Sequence, residues 1–304
     1  MRQGWNVMRR YRERVEARLP QVREIAYAWP VIRGNALTMV GLAIVLALVV
    51  LGVLAPVISP YPEHAMGATA SEDKFQPPSL EHLFGTDDLG RDIFSRVLFG
   101  IRISFNIGVI VISLALLIGL PLGVIAGCAG GKLDEVIMRV TDMFLSFPAL
   151  LLALAISAAL GPALVNSMIA IAIAWWPWYT RLARGQAVSV KERPFVEAAV
   201  ATGVRRSRII FRHVLPNCLT PIIVQASMDF GSVILTSASL SFLGLGAQPP
   251  EPEWGLMISI GRIYFLTNWW LTTFPGFAIL ITVLAFNFLG DGLREILDPR
   301  ARRI

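Results

Sequence analysis

The sequence predicts an all-α polytopic membrane protein with six transmembrane helices, and three observations lead there. Only 16% of its 304 residues are charged and 55% are hydrophobic, against about 25% charge in an ordinary soluble domain. The apolar residues fall in six runs, at roughly 37–58, 103–127, 143–160, 163–180, 221–246 and 271–290. Each is close to the roughly 20 residues that a helix needs to cross a bilayer. The runs are continuous rather than alternating, and a helix satisfies its own backbone hydrogen bonds in lipid. Third, the basic residues are unevenly placed. Of 27 Lys and Arg, eight lie in 1–36, two in 128–142, eight in 181–220 and four in 291–304, leaving Lys74, Arg91, Arg96, Arg102 and Arg262 on the other side. That asymmetry predicts that both termini are cytoplasmic. It also accounts for the net charge of +6. Since the arginines flank spans, no nucleic-acid partner is expected.

The elements follow in order. Residues 1–36 carry Arg2, Arg9, Arg10, Arg12, Arg14, Arg18, Arg23 and Arg33 with Trp5 and Trp29 interleaved, a pattern for an amphipathic segment on the inner membrane surface or for orientation alone. The first span begins near Leu37, too late and too long for a removable signal peptide. In the external loop at 59–102, Pro60, Pro62, Pro77 and Pro78 keep the first half extended. In the second half Ile93, Phe94, Val97, Leu98 and Ile101 recur at helical spacing, with Asp92, Ser95, Arg96 and Arg102 on other faces. This predicts an interfacial helix feeding the second span. Asp87, Asp88, Arg91 and Asp92 fit ion pairs that fix the turn, or a ligand site.

Span three contains Pro148 and span four contains "WWPW" at 175–178. Such prolines permit kinks, either for switching shape or for packing alone. Span five is the least lipid-like. Gln225 and Asp229 lie one turn apart, followed by Ser232, Thr236, Ser237, Ser239 and Ser241. An acid inside a span faces protein or water, and small hydroxylated residues permit close packing. Gln225, Asp229, Ser232 and Thr236 are therefore candidates for the bundle interior or a pathway. The loop at 247–270 holds Pro249, Pro250 and Pro252, then a short amphipathic helix ending in an aromatic belt, Trp269 and Trp270. The expected organisation is a cytoplasmic segment at 1–36, the first span and external loop at 37–102, and a five-span core at 103–293. That core contains the cytoplasmic loop at 185–218, and a tail follows at 294–304.

Several chemistries are not supported. The stretch "GCAGGKL" at 127–133 resembles a phosphate loop, but its first glycine is one residue late and Leu133 replaces the hydroxyl that binds magnesium. It is expected to be a turn between spans. His64, His82 and His213 form no HExxH pattern, so a membrane hydrolase is disfavoured and no metal site is expected. Cys128 and Cys218 have no metal or redox spacing and fit small buried residues.

The cytoplasmic loop "RPFVEAAVATGVRRSRIIFRHVLPN" at 193–217 is the most informative stretch. Pro194 suits the first helical position, and Glu197 falls in the first turn, where a carboxylate is favoured. Ala198, Ala199 and Ala201 leave a low-profile face, and Gly203 breaks the helix. A second helix from about Arg205 places Ile209 and Ile210 among Arg205, Arg206, Arg208 and Arg212. Leu215-Pro216 is expected to end it before span five. Two short helices joined by a glycine fit a docking element for a cytoplasmic partner, or a solvated basic loop.

The same residues resemble the EAA motif of permease subunits of ABC importers, whose pattern is Glu-Ala-Ala, three residues, Gly, nine residues, Ile, one residue, Leu-Pro. Glu197, Ala198, Ala199, Gly203, Leu215 and Pro216 match in register, with His213 in place of Ile. "RHVLPN", "GTDDLGRDIFSRVLFGIRISF", "ASLSFLGLG", "QPPEPEWG" and "FNFLGDGLREILDPR" each resemble the C-type permease of dipeptide and oligopeptide importers. The resemblance runs from about Asn35 to the end. It implies a type I ABC importer permease fold, with the loop as a coupling helix against an ATPase subunit. Glu197, Ala198, Ala199, Gly203, Arg205, Arg206, Ile209, His213, Leu215 and Pro216 form the expected coupling set. It further implies two ATPase subunits that carry ATP and Mg, a sister permease, an external substrate-binding protein and no cofactor on this chain, which is then not itself an enzyme. Nickel, glutathione and other small-solute importers share these motifs. An ion-coupled transporter or channel, with Asp229 as the ion site, is the alternative of a different class.

Overall fold

The computed structural model describes residues 35–297, so the amphipathic N-terminal segment and the end of the tail lie outside the described residues. Every regular element among the described residues is helical, apart from one isolated bridge between Thr86 and Asp92. Helix α1, Ala36–Ile58, starts at Asn35, whose side chain accepts the Leu37 and Thr38 N–H groups at 3.1 and 3.2 Å. A four-residue helix α2, Pro62–Ala65, opens the external loop. Helix α3, Ile93–Ala129, is 37 residues long, about 55 Å at 1.5 Å per residue. That exceeds a bilayer's hydrocarbon thickness of about 30 Å. The expected interfacial helix is thus no separate element: it is the outer end of α3, continuous with the span.

Helix α4, Gly131–Leu145, follows a turn in which Gly130 and Gly131 hold φ of 66° and 57°. The glycine-rich stretch forms this turn together with the end of α3. Helix α5, Ala149–Leu160, departs from α4 at 85°. The break is at Pro148, which lacks an N–H and biases Phe147 away from helical backbone. Helix α6, Leu164–Lys191, carries Pro177 inside. The loop after α6 holds α7, Pro194–Ala201, and α8, Arg206–Ile209, and a π-helical turn at Ile210–Val214 leads into α9, Leu215–Phe242. An external helix α10, Trp254–Gly261, precedes α11, Trp270–Leu297.

All six apolar runs are therefore helical, but they are not equal. Among the described residues four helical segments are long and apolar enough to cross a membrane, and the bent α4–α5 pair passes the same test only when its two helices are taken together as one broken span. Helix α6 falls short because Trp175, Trp176, Pro177, Trp178, Tyr179 and Arg181 dilute its apolar half.

Three buried clusters stack along the bundle. The external one joins Ile93, Leu98 and Ile101 of α3 to Trp254 and Leu271, the middle one joins Ile107 and Val111 to Ile171 and Val233, and the cytoplasmic one joins Val124 to Tyr179, Ala183, Val196 and Val214. Helices α3 and α6 approach most closely. A Cβ added at Gly119, Gly123 or Gly127 would lie 2.6, 2.3 or 2.7 Å from the carbonyl oxygens of Trp176, Thr180 and Arg184. Small residues at four-residue spacing let two backbones touch in this way. Two ion pairs fasten α4 to α6. The Arg184 guanidinium donates to both Asp134 oxygens at 2.6 and 2.7 Å, and Arg181 pairs with Asp142.

The external end is a buried polar cap. Arg96 was expected on a polar face of α3, and instead it is 1% exposed. Its guanidinium donates to the carbonyls of His64, Pro250 and Glu251 at 3.3–3.4 Å. Ser95 is buried as well, its amide and hydroxyl donating to Asp92 Oδ2 at 2.7 and 2.6 Å. Both external loops fold over this end of α3, which is why its polar side is covered. The expected turn pair is present: Arg91 Nε donates to Asp87 Oδ2 at 2.7 Å. Asp92 serves instead as the cap of α3 and as the partner of His82 Nδ1 at 3.0 Å. Trp270 corrects the expected aromatic belt. It is buried, and its indole donates to the Thr86 carbonyl at 3.2 Å, whereas Trp269 is exposed. Helix α10 is not an amphipathic surface helix either, since Trp254, Gly255, Leu256 and Met257 are all buried. Glu253 caps it, accepting the Leu256 N–H at 2.8 Å. Burial pushes the Glu253 carboxyl above the usual range, against the pull of its backbone hydrogen bonds.

Candidate functional site

The loop at 193–217 folds as a compact platform. Pro194 stands at the start of α7, where a missing N–H costs nothing, and Glu197 lies exposed in the first turn. The helix ends in a Schellman motif. The Gly203 N–H donates to the Val200 carbonyl at 3.0 Å and the Val204 N–H to the Ala199 carbonyl at 3.1 Å. This closure requires a left-handed residue after the cap, and Gly203 supplies it with φ 77°. Val196 is anchored in the cytoplasmic cluster with Ile209 and Val214. The anchor turns Glu197, Ala198, Ala201, Gly203, Arg205 and Arg206 outward. Thr202, Gly203, Val204, Arg205 and Arg208 line an open cleft beside them.

The expected coupling set divides accordingly. Glu197, Ala198, Gly203, Arg205 and Arg206 share the exposed surface. Ala199 is half-buried, and Ile209 is buried, so Ile209 holds the platform together rather than lining it. His213 is half-buried, its ring 6.4 Å from that of Phe195. Leu215-Pro216 does not end the second helix as expected. The π turn carries the chain through: the Leu215 N–H donates to the Ile210 carbonyl, and Pro216 falls in the first turn of α9, where no helical donor is needed. Asn217 Nδ2 takes up the His213 carbonyl at 2.7 Å.

Three loop residues escaped the sequence reading. Phe195, Val200 and Phe211 are 42%, 60% and 70% exposed. These apolar side chains stand exposed among the basic residues of the loop. Their signal was available, as apolar residues in a loop whose other positions are charged or small.

The second candidate set lies on α9. Gln225, Asp229, Ser232 and Thr236 follow one another at four, three and four residues, which places them on one helix face. Ser232 is exposed, and Gln225, Asp229 and Thr236 are half-buried. The Thr236 hydroxyl donates to the Ser232 carbonyl at 2.8 Å, and Gln225 Nε2 donates to Asp229 Oδ1 at 2.9 Å. This polar stripe is separate from the docking platform, but the π turn joins the two through one helix.

The family model described as "Binding-protein-dependent transport system inner membrane component" matches residues 119–303, and "N-terminal TM domain of oligopeptide transport permease C" matches residues 25–78. The chain is 47% identical to the probable D,D-dipeptide transport system permease protein DdpC of Escherichia coli, covering 89% of this chain and 90% of the relative. It is 47% identical to the dipeptide transport system permease protein DppC of Alkalihalophilus pseudofirmus, with 90% of each covered. It is 42% identical to the di/tripeptide transport system permease protein DppC of Pseudomonas aeruginosa, covering 90% and 91%. Among solved structures, the MetNI methionine ABC transporter matches with a TM-score of 0.55 at 19% identity, over 67% of this chain and 97% of that chain. At that identity the likeness concerns the fold alone.

Proposed function

The chain belongs to the family of binding-protein-dependent transport system inner membrane components, and from that premise we propose that its cytoplasmic loop is where ATPase subunits drive it, with di- or oligopeptides as cargo. The chain is a permease subunit of an ABC importer. The peptide assignment is supported by relatives named for dipeptide and tripeptide transport. The observation that carries the docking reading is the platform: exposed Phe195, Val200 and Phe211 beside exposed Glu197 and Arg205, on a loop pinned from behind by Val196 and Ile209.

In this reading two ATPase subunits bind ATP and Mg, and their closure displaces α7 and α8. The π turn passes that displacement to α9, whose polar stripe faces the passage at Ser232 and Thr236 and the bundle interior at Gln225 and Asp229. A sister permease completes the passage, an external binding protein delivers cargo, and the bundle crosses the inner membrane six times with both ends cytoplasmic.

The test is purification of the tagged chain after gentle solubilisation from cells that express its operon neighbours, followed by uptake of a labelled dipeptide. Recovery with a second permease and two ATPase subunits, and ATP-dependent uptake, is expected. Recovery only as a homo-oligomer, with those neighbours present and unbound, overturns the docking reading. ATP-dependent uptake of another solute but no dipeptide overturns the cargo.

A further inference from the structure

Helices α6 and α9 are the two that the cytoplasmic loop connects, and they meet at an incomplete polar contact within the bundle. Asp229 Oδ1 is taken by Gln225 at 2.9 Å. Among the described residues Asp229 Oδ2 has no partner and no access to solvent, and the same holds for the hydroxyl of Tyr179. These two groups face each other across the α6–α9 packing, yet they do not meet with hydrogen-bond geometry. A buried donor and a buried acceptor left open side by side are costly in lipid, and such a pair in a native fold needs a reason.

The surroundings supply one. Tyr179 is held on a rigid unit, because Gly119 brings the α3 backbone so close that an added Cβ would lie 2.8 Å from Tyr179 Cβ. Ala115 and Ala183 belong to the same buried cluster as Tyr179. Helix α9, by contrast, enters through the π turn at Ile210–Val214, with Pro216 and Pro221 in its first two turns. The π turn and Pro221 weaken the helical ladder locally, whereas Pro216 stands in the first turn and removes no bond from it. One helix is therefore fixed and the other is free to turn where it leaves the loop.

We propose that Tyr179 and Asp229 are a positioning pair for transport: the Tyr179 hydroxyl donates to Asp229 Oδ2 in one access state, and the two are apart in the other. Displacement of the loop rotates α9 against the fixed α3–α6 unit and makes or breaks the bond. The pair carries no cargo and transfers no proton; it sets the balance between two arrangements of the bundle. The proposal rests on the reading that ATPase subunits drive the loop.

The experiment uses the whole complex in lipid nanodiscs: this chain, its sister permease, the ATPase subunits and the binding protein. ATP hydrolysis is measured with and without the binding protein at matched amounts of assembled complex. Tyr179→Phe removes one oxygen and little volume, Asp229→Ala removes the acceptor, and Asp229→Asn keeps one. The ratio of stimulated to basal hydrolysis is expected to change by about two- to tenfold in Tyr179→Phe and Asp229→Ala, the worth of one net hydrogen bond in a two-state balance. The double variant should change no further than the larger single one, because the same bond is already lost. Asp229→Asn should stay near wild type.

A wild-type ratio in Tyr179→Phe, or a double variant whose change is the product of the single ones, overturns the proposal. So does a Tyr179→Phe chain that fails to assemble, which assigns the pair to folding. If only Asp229→Ala fails to assemble, Tyr179→Phe and Asp229→Asn decide by themselves. Wild-type chain recovered without ATPase subunits overturns the reading of the loop instead, and the pair's role with it.

Discussion

Gly203→Ala and Gly203→Asn separate two reasons for a glycine in the docking loop. The first reason is the backbone. Gly203 holds φ 77°, and an L-residue with a Cβ pays about 1–2 kcal/mol in that region. Among the described residues nothing adds to this, since no atom beyond the two chain neighbours lies within 4 Å of a Cβ built there. With 1.4 kcal/mol per factor of ten, the Schellman closure of α7 should open about five- to thirtyfold more often in Gly203→Ala. Asn enters left-handed backbone more readily than Ala, so Gly203→Asn should open less. Limited trypsin digestion reads this directly, because Arg205, Arg206 and Arg208 are exposed just beyond the closure. Faster nicking of Gly203→Ala than of Gly203→Asn is expected.

The second reason is close approach by the partner, and there the order reverses. If an ATPase subunit presses on Gly203, the larger Asn should impair uptake more than Ala at equal membrane levels, and Gly203→Asp should abolish it. Trypsin resistance and uptake both at wild-type levels in Gly203→Ala would refute the argument from the positive φ and the docking surface together.

Three further outcomes follow from the same structure. Glu197→Lys exchanges a favourable carboxylate in the first turn of α7 for a cation, a local loss of about 0.3–1 kcal/mol, and reverses the charge on the docking face. Membrane levels should hold while uptake falls, and normal uptake would remove Glu197 from that face. Gly123→Val places a Cβ at 2.3 Å from the Thr180 carbonyl, and such overpacking costs about 1–3 kcal/mol; an unchanged melting temperature of the purified protein would contradict the α3–α6 seam. Burial raises the folded-state pKa of Glu253, so the native state holds that proton more tightly than the unfolded chain. Its contribution to stability is then greatest below the ordinary carboxylate range, falls as pH rises through that range, and levels off above the raised folded value. Glu253→Gln, which keeps an oxygen for the Leu256 N–H, should remove the fall in melting temperature as pH rises above the ordinary carboxylate range; parallel curves for both proteins would count against the raised Glu253 carboxyl.

The parts that were legible in the sequence are those where one local rule decides the outcome. Pro194, Glu197 and Gly203 sit in the positions that helix-end chemistry assigns to their residue types, so α7 and its closure could be placed without coordinates. Apolar length located all six helical runs, and Pro148 broke one of them where its missing N–H requires. The errors share a cause: each involves a residue whose environment comes from a distant segment. Arg96 and Ser95 fall on the polar side of α3 by period, yet loops around His64 and Pro250 fold over that side and bury both. Trp270 belongs to an interfacial belt by composition, but Thr86, 184 residues away, offers its indole a carbonyl. Leu215-Pro216 looked like a terminus because the rule for proline assumes an α-helical ladder, and the π turn before it changes the ladder. Tyr179 carried no local signal, being one aromatic among four beside Pro177. Its meaning arises only where Gly119 fixes it from one side and Asp229 faces it from another, and the loop that joins their two helices lies between them in the chain.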